Sequence, residues 1–510
     1  MISPSYHLPR GWEWTKLSEI VKELESGGRP KGGVRGITSG VPSIGGEHLH
    51  IDGGFNFQSI RFVPKSYAVS MRHGHIASHD VLVVKDGATT GKTSFVADDF
   101  PYKEAILNEH VFRLQVFPEV ATQRYLFYFL RGPLGQKMIR DSFRGSAQGG
   151  INQSFVDFVH IPLAPLREQE RIVLKLERLL NHAFSARNAL QVFQTVVMSF
   201  RRSVLAKAFK GDLTVRQHGA ESAEKLLQKF AEERNVKLKQ NVHAIQETRK
   251  KYEYLVKGRA EKRLPEGWAW TSIADLTESW QYGPRFAKGE YVKEGVMTIR
   301  TTDMDYLGRI VLSSPPRLHL NQQQIEHFGL RSGDLLIARS GNSIGKCTVY
   351  EASDEPAIAG AYLIRFRLFM KLLLPRYILY YLLSPQGQSL LREGTVSVAQ
   401  PNINARKIER FPVPLAPETE MKQVLSKVET LFAQAQAVET QIKSASHSIE
   451  KAARAVMNAA FRGELVPQDP NDEPASALLE TIRAQRATVT KRGRHRLEEF
   501  ASPATISPKA

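Results

Sequence analysis

Residues 85–95, Lys-Asp-Gly-Ala-Thr-Thr-Gly-Lys-Thr-Ser-Phe, carry a Gly-Lys-Thr triplet behind a glycine turn, much as a phosphate-cradling loop does. Such a loop needs four residues between its first glycine and the Gly-Lys pair, so that consecutive backbone N–H groups curl around the phosphates. Gly87 and Gly91 enclose only three. The spacing therefore argues against a nucleotide site. A second cluster, His73, His75 and His79, has metal-ligating residue types at close range, with no cysteine nearby. Solvent-facing or turn histidines account for it more simply. The Gly-x-Ser-x-Gly spacing of Gly341 to Gly345 is not followed by the helix that a nucleophile elbow needs, and no His-Glu-x-x-His motif occurs. The glycine-rich run from Phe143 lacks the preceding strand of a dinucleotide fingerprint, and neither an amino-methyltransferase tetrapeptide nor convincing nuclease spacing is present. With no catalytic cluster, a binding protein is the expectation.

The elements that would position these residues are written twice. Leu-Pro-Arg-Gly-Trp-Glu-Trp-Thr from Leu8 returns as Leu-Pro-Glu-Gly-Trp-Ala-Trp-Thr from Leu264. The Gly-Lys-Thr segment from His79 returns from Gly333, keeping Gly341, Gly345 and Lys346 but placing Cys347 where a phosphate loop needs Ser or Thr. The histidine cluster keeps only its first member in the second copy. Ala-Gln-Gly-Gly-Ile-Asn from Ala147 matches Ala-Gln-Pro-Asn-Ile-Asn from Ala399, and Ala-Phe-Lys-Gly-Asp-Leu matches Ala-Phe-Arg-Gly-Glu-Leu. Repeats of this length take precedence over any single motif. Each copy opens with short β-rich runs between glycine turns, followed by a helical stretch, so a mixed α/β domain is expected. The Gly-Lys segment reads as strand, tight turn and strand, with glycines supplying the left-handed positions.

After each domain, Pro162 and Pro165 (and their counterparts in the second copy) postpone a long helix. Ile172, Leu176, Leu179, Ala183, Ala186, Leu190, Phe193, Val197, Phe200 and Val204 follow a 4-3 alternation. So do Val424, Val428, Leu431, Ala435, Val438, Ile442, Ala445, Ile449, Ala452 and Val456. This is a coiled-coil seam. Each helix of about 40 residues spans about 60 Å, more than a compact domain of about 150 residues offers. Two related units joined head to tail can bury these seams against each other as an antiparallel pair about a pseudo-two-fold axis. Gly211 and Gly463 are the expected stops.

The expected fold is α+β: two similar mixed α/β domains separated by a long antiparallel two-helix coiled coil. The expected boundaries are 1–166, first domain; 167–214, central helix; 215–263, basic helical tail and linker; 264–417, second domain; 418–466, C-terminal helix; and 467–510, C-terminal tail. Hydrophobic residues make up 42% and charged residues 24% of 510 residues, a globular composition. The net charge of +18 suits a polyanion, with nucleic acid ahead of an anionic membrane surface. One cysteine excludes an intramolecular disulfide framework and fits a reducing cytoplasm. No apolar run approaches the ~18 residues of a membrane span.

As an ordered set covering roughly Leu8 to Arg486, these motifs resemble the specificity subunit of type I restriction-modification systems. Met421 replaces the Gln169 of the first copy, and Gly149 replaces the Pro401 of the second. The resemblance implies two target-recognition domains, each reading half of a split double-stranded DNA sequence, with the coiled coil setting the spacer. It implies docking of two methyltransferase subunits carrying S-adenosylmethionine, and of motor-nuclease subunits using ATP and Mg²⁺. The chain itself would hold no cofactor and catalyse nothing. Phosphate neutralisation and groove readout call for Arg, Lys, Asn, Gln, Glu or Ser on loops. The candidate DNA-contacting residues are Arg29, Lys31, Arg35, Glu47, His48, Lys85 and Lys92 in the first copy. In the second they are Arg285, Lys288, Arg300, Thr301, Thr302, Arg339 and Lys346. Two alternatives stay open: a stand-alone two-headed DNA-binding or architectural protein, and an enzyme such as a nuclease with an unrecognised site.

Overall fold

The computed structural model describes residues 6–143, 149–215, 221–238, 263–351, 355–370, 372–395 and 401–487. The chain divides into two compact units, residues 1–190 with 444–510, and residues 191–443.

In the first unit a four-stranded antiparallel sheet runs in the order Val21–Ser26, Val111–Val116, Val81–Val84, Thr93–Phe95. Side chains alternate across a strand, and here both faces are covered. Val81 and Val83 pack with Tyr125, Leu126 and Phe129 in one core, while Leu82 and Val84 pack with Ile44, Leu49 and Leu107 in another. A strand covered on both faces reads as one unbroken apolar run, which is why Val81–Val84 does. Each such side chain contributes about 1.5–3 kcal/mol by leaving water. The second core lies under a small sheet in which Val41–Ile44 sits between Arg61–Val63 and Ile106–Leu107. Glu13–Lys16 pairs with His160–Leu163, bringing the opening motif beside the start of the long helix.

The second unit repeats this plan. Its four-stranded sheet runs Thr277–Tyr282, Leu363–Leu368, Leu335–Ala338, Cys347–Val349. Leu335 and Ile337 face one core, and Leu336 and Ala338 face the other with Met297, Ile299 and Leu363. A second sheet places Val296–Ile299 between Arg317–Leu318 and Ala357–Ala359. Tyr125 and Tyr377 occupy equivalent places, each hydroxyl donating to a proline carbonyl, Pro162 at 2.5 Å and Pro414 at 2.7 Å.

The long helices are Leu166–Ala208 and Glu418–Ala460, 43 residues each. Both close through a left-handed glycine, Gly211 at φ 79° and Gly463 at φ 73°. There Asp212 N–H donates to the Lys207 carbonyl and Glu464 N–H to that of Ala459, both at 3.0 Å. This is the double-bonded end that glycine permits. A Cβ on Gly211 would lie 2.4 Å from a ring carbon of Pro265, and one on Gly463 2.3 Å from Pro9. The repeated Phe-x-Gly and Leu-Pro-x-Gly-Trp motifs are therefore packing partners, the end of one repeat seated on the opening of the other's domain.

Within the second unit the helices are antiparallel. Thr214 donates to Glu420 at 2.7 Å, and Arg201 pairs with Glu439 at 3.2 Å, so residue numbers rise on one segment as they fall on the other. Val197, Val204, Val424, Val428, Ala435 and Ile442 are buried as the seam requires, but Phe193, Phe200 and Val438 are exposed. A buried Arg201 lies over the Phe432 ring at 4.9 Å and replaces apolar contact with a charged one. Two side elements complete the units. Helix Ala223–Leu238 starts with Ala223 N–H donating to Gly267, and residues 475–487 start with Ala475 N–H donating to Gly11, both at 2.9 Å.

Candidate nucleic-acid interface

The Gly-Lys turn is an anchor. Gly87 and Gly91 have φ of 80° and 85°, and the chain continues into strand Thr93–Phe95, where a phosphate loop would open a helix. Gln136 donates to the Gly91 carbonyl at 2.8 Å, as Gln388 does to that of Gly345. Lys92 Nζ donates to the Gly46 carbonyl at 3.3 Å, and Lys346 Nζ to that of Thr301 at 3.0 Å. In the repeat these two acceptors are the same position. Lys92 and Lys346, expected among the DNA contacts, have their ammoniums turned onto their own main chain instead. They hold the loop that follows the central strand of the small sheet.

That loop is locked a second time. His48, also expected at the interface, is 1% exposed. Its Nδ1 accepts from Gly45 N–H at 2.8 Å, which leaves Nε2–H to donate to the Ser59 carbonyl at 3.2 Å. In the second copy Asp303 takes this place and accepts from Arg300 N–H at 2.8 Å. Sequence reading could not separate His48 from its neighbour Glu47, because loop residues carry no periodicity that marks an inward side. Arg300 folds back on Asp303 at 2.9 Å, and the carboxylate holds its guanidinium above the usual range. Between the two locks, Glu47 and Thr302 remain exposed.

Around Glu47 the first unit forms a polar cleft lined by Arg29, Arg61, Asn108, Glu109 and His110. Arg61 lies 3.5 Å from Glu47 and Arg29 3.6 Å from Glu109. His110 is oriented by Asp86 at 2.7 Å. Lys31 and Arg35 are exposed on the adjoining loop, whose Gly32, Gly33 and Gly36 all have positive φ. Arg61, Asn108, Glu109 and His110 were not anticipated from sequence. Arg61 opens a strand and the other three form the turn between Ile106–Leu107 and Val111–Val116, all distant in sequence from the Arg29 loop. Only a position-by-position comparison marks three of them, since Asn108-Glu109-His110 stands where the second copy has Gly360-Ala361-Tyr362.

The equivalent surface of the second unit is aromatic. Tyr362 is exposed, and Arg339 lies over the Tyr282 ring at 4.5 Å. Its counterpart Lys85 lies over Phe112 at 5.6 Å. Arg285 is exposed; Lys288 opens a one-turn 3₁₀ helix, and its side chain lies outside the described residues.

Buried carboxylates brace both sheets behind these loops. Asp80 accepts from Arg113 Nε at 2.7 Å and Gln115 at 2.8 Å; Asp334 accepts from Arg367 at 2.8 and 2.9 Å. Arg113 extends to Glu25 at 2.9 Å. Partial burial opposes ionisation of Glu25, but Gly74 N–H, His73 and Arg113 outweigh it and hold the carboxyl below its usual range. The three clustered histidines go to separate partners: His73 to Glu25, His79 to Asp98 and His75 to the Met71 carbonyl.

Comparison with known proteins agrees with this doubled plan. Residues 9–191 and 265–445 each match the type I restriction modification DNA specificity domain. The type I restriction enzyme EcoBI specificity subunit of Escherichia coli is 25% identical over 472 residues, covering 89% of this chain and 91% of that one. The StySPI specificity subunit of Salmonella potsdam is 23% identical, covering 94% and 96%. A solved chain, from work on complex assembly and conformational transition of the type I restriction-modification system, superposes with a TM-score of 0.65 at 20% identity. It covers 90% of this chain and 100% of its own. The match spans both repeats, each with its recognition domain and the start of its long helix, and the chain belongs to the type I restriction-modification DNA specificity family.

Proposed function

We propose that the chain is the sequence-reading subunit of a type I restriction-modification complex, with each of its two domains reading one half of a split duplex target. The observation that carries this is the repeated loop. Two copies fix the same backbone position through Lys92 and Lys346 and expose different side chains, Glu47 and Thr302. One scaffold with two reading surfaces reads two sequences. The net charge of +18 supplies the phosphate-directed attraction that such reading needs. Arg29, Lys31, Arg35, Lys85, Arg285, Lys288, Arg300, Thr301 and Arg339 make up the rest of the proposed DNA-facing set.

Catalysis belongs to partners in this reading: two methyltransferase subunits carrying S-adenosylmethionine, and motor-nuclease subunits using ATP and Mg²⁺. The exposed Val192, Phe193, Val196, Met198 and Phe200 of the first long helix are apolar surface available to a methyltransferase subunit. No helix among the described residues is long and apolar enough to cross a membrane, and a cytoplasmic location suits the proposed DNA substrate. Expression with the cognate methyltransferase subunit, followed by methylation mapping, tests the proposal. Two short methylated sequences separated by unread base pairs are expected. DNA cleavage by the chain alone, or specific binding without any methyltransferase association, would overturn it in favour of a nuclease or a stand-alone DNA-binding protein.

A further inference from the structure

We infer that residues 47 and 302 are matched specificity determinants. Glu47 makes the first half-site require an amino-bearing base, adenine or cytosine, on one particular strand at one base pair, and Thr302 imposes no such requirement at the corresponding place in the second. This inference rests on the DNA-reading role proposed above.

The geometry makes the two positions comparable. Each follows the central strand of a small sheet, Val41–Ile44 or Val296–Ile299. The residue before each gives its carbonyl to a lysine, Lys92 or Lys346. The residue after each is buried and caps the turn by accepting a backbone N–H at 2.8 Å, His48 from Gly45 and Asp303 from Arg300. A loop pinned on both sides projects its middle side chain along a fixed direction, and both middle side chains are exposed.

Chemistry then separates them. A carboxylate only accepts hydrogen bonds, whereas a hydroxyl accepts and donates. On base edges in the major groove the donors are the amino groups of adenine N6 and cytosine N4; guanine N7 and O6 and thymine O4 are acceptors. Glu47 brought against guanine or thymine would place acceptor on acceptor beside a polyanion, an arrangement with no compensating bond. Arg61, 3.5 Å from Glu47 with its side chain 60% exposed, offsets repulsion from the phosphates while leaving carboxylate lone pairs free. Thr302 faces either kind of edge without penalty. The arginine nearest to it in sequence, Arg300, is held by Asp303 and is not free to assist as Arg61 does.

The test uses the chain assembled with its methyltransferase subunits, carrying Glu47→Thr, Glu47→Gln or Thr302→Glu. Competition binding against duplexes altered at every base pair of both half-sites, together with methylation mapping, reads the result. The wild-type complex should discriminate by about tenfold or more at one first-half base pair in favour of the strand presenting adenine or cytosine, and the mapped base states which amino group is used. Glu47→Thr and Glu47→Gln should both lose most of that discrimination, since a glutamine amide also donates, and leave the second half-site unchanged. Thr302→Glu should create an adenine-or-cytosine requirement in the second half-site. Melting temperatures and subunit association serve as folding controls, because both side chains are exposed. Unchanged preference at every position in the Glu47 variants, with a bipartite target intact, overturns the inference alone. A uniform loss of affinity with an unchanged target also overturns it, since that marks a positioning contact. A wild-type complex with no bipartite target would instead overturn the DNA-reading role itself.

Discussion

At the scale of single residues, the lysines of the two Gly-Lys turns act through main-chain oxygens, and this makes separable predictions. Hydrogen bonds from a charged donor contribute about 1.5–3 kcal/mol, and Lys92 is half-buried where it reaches Gly46. Lys92→Met should therefore loosen the first reading loop and weaken binding at the first half-site by about tenfold, leaving the second half-site intact. Lys346→Met should do the reverse. Equilibrium binding to duplexes mutated in one half at a time checks both. Isothermal titration of the wild-type chain with ATP should show no saturable binding, because Gly91 leads into a strand with no helix N-terminus behind it. Cys347 gives a further probe. Burial pushes its thiol well up from the ordinary value, so little thiolate forms at neutral pH. Alkylation by iodoacetamide, followed by mass spectrometry, should appear only under conditions that unfold the second unit; rapid labelling of the native chain would place that strand at the surface.

At the scale of elements, the long helices show how apolar spacing and tertiary packing divide the work. Leu176 is fully buried with Ile172 in the first unit's core. An aspartate there would be an unpaired charge in an apolar setting, a cost of several kcal/mol, and Leu176→Asp should lower the melting temperature sharply and abolish assembly. Phe193 obeys the same 4-3 spacing yet is 56% exposed. Phe193→Glu should leave melting unchanged and weaken association with the methyltransferase subunit, as sedimentation velocity would show. The heptad pattern thus made the helices and their stops at Gly211 and Gly463 legible. It could not tell which seam positions meet the neighbouring helix, because the Arg201–Glu439 pair and the Arg201–Phe432 contact join residues far apart in the chain. The same limit hid Asn108, Glu109 and His110, which reach the cleft only through pairing of Ile106–Leu107 with Val41–Ile44.

For the whole molecule, the internal repeat predicts separable half-sites. Exchanging residues 264–417 for the matching segment of a relative should alter one half of the methylated target and leave the other and the spacer unchanged. Removing seven residues from each long helix takes away about 10.5 Å of helical rise. Against about 3.4 Å per base pair, the spacer should shorten by about three base pairs with both half-sites retained. Methylation mapping reads both outcomes, and a domain exchange that changed both halves together would show one composite reading surface. The doubling itself was plain in the sequence, since motifs such as Leu-Pro-x-Gly-Trp survive wherever packing is shared. Function at single positions was less plain, since the reading loops are where the two copies agree least.

The locks on those loops have one more implication, for how such a protein acquires a new target. Lys92 grips the oxygen of a glycine and Lys346 the oxygen of a threonine. Gln136 and Gln388 grip the glycine carbonyls of the turns that carry those lysines. Every amino acid offers that same carbonyl, whatever its side chain. Substitutions at the loop tips can therefore accumulate without loosening the clamps beneath them. An inherited scaffold of this kind lets recognition drift by single codons while folding stays insulated, so novelty in what is read need not compete with the stability of what reads it.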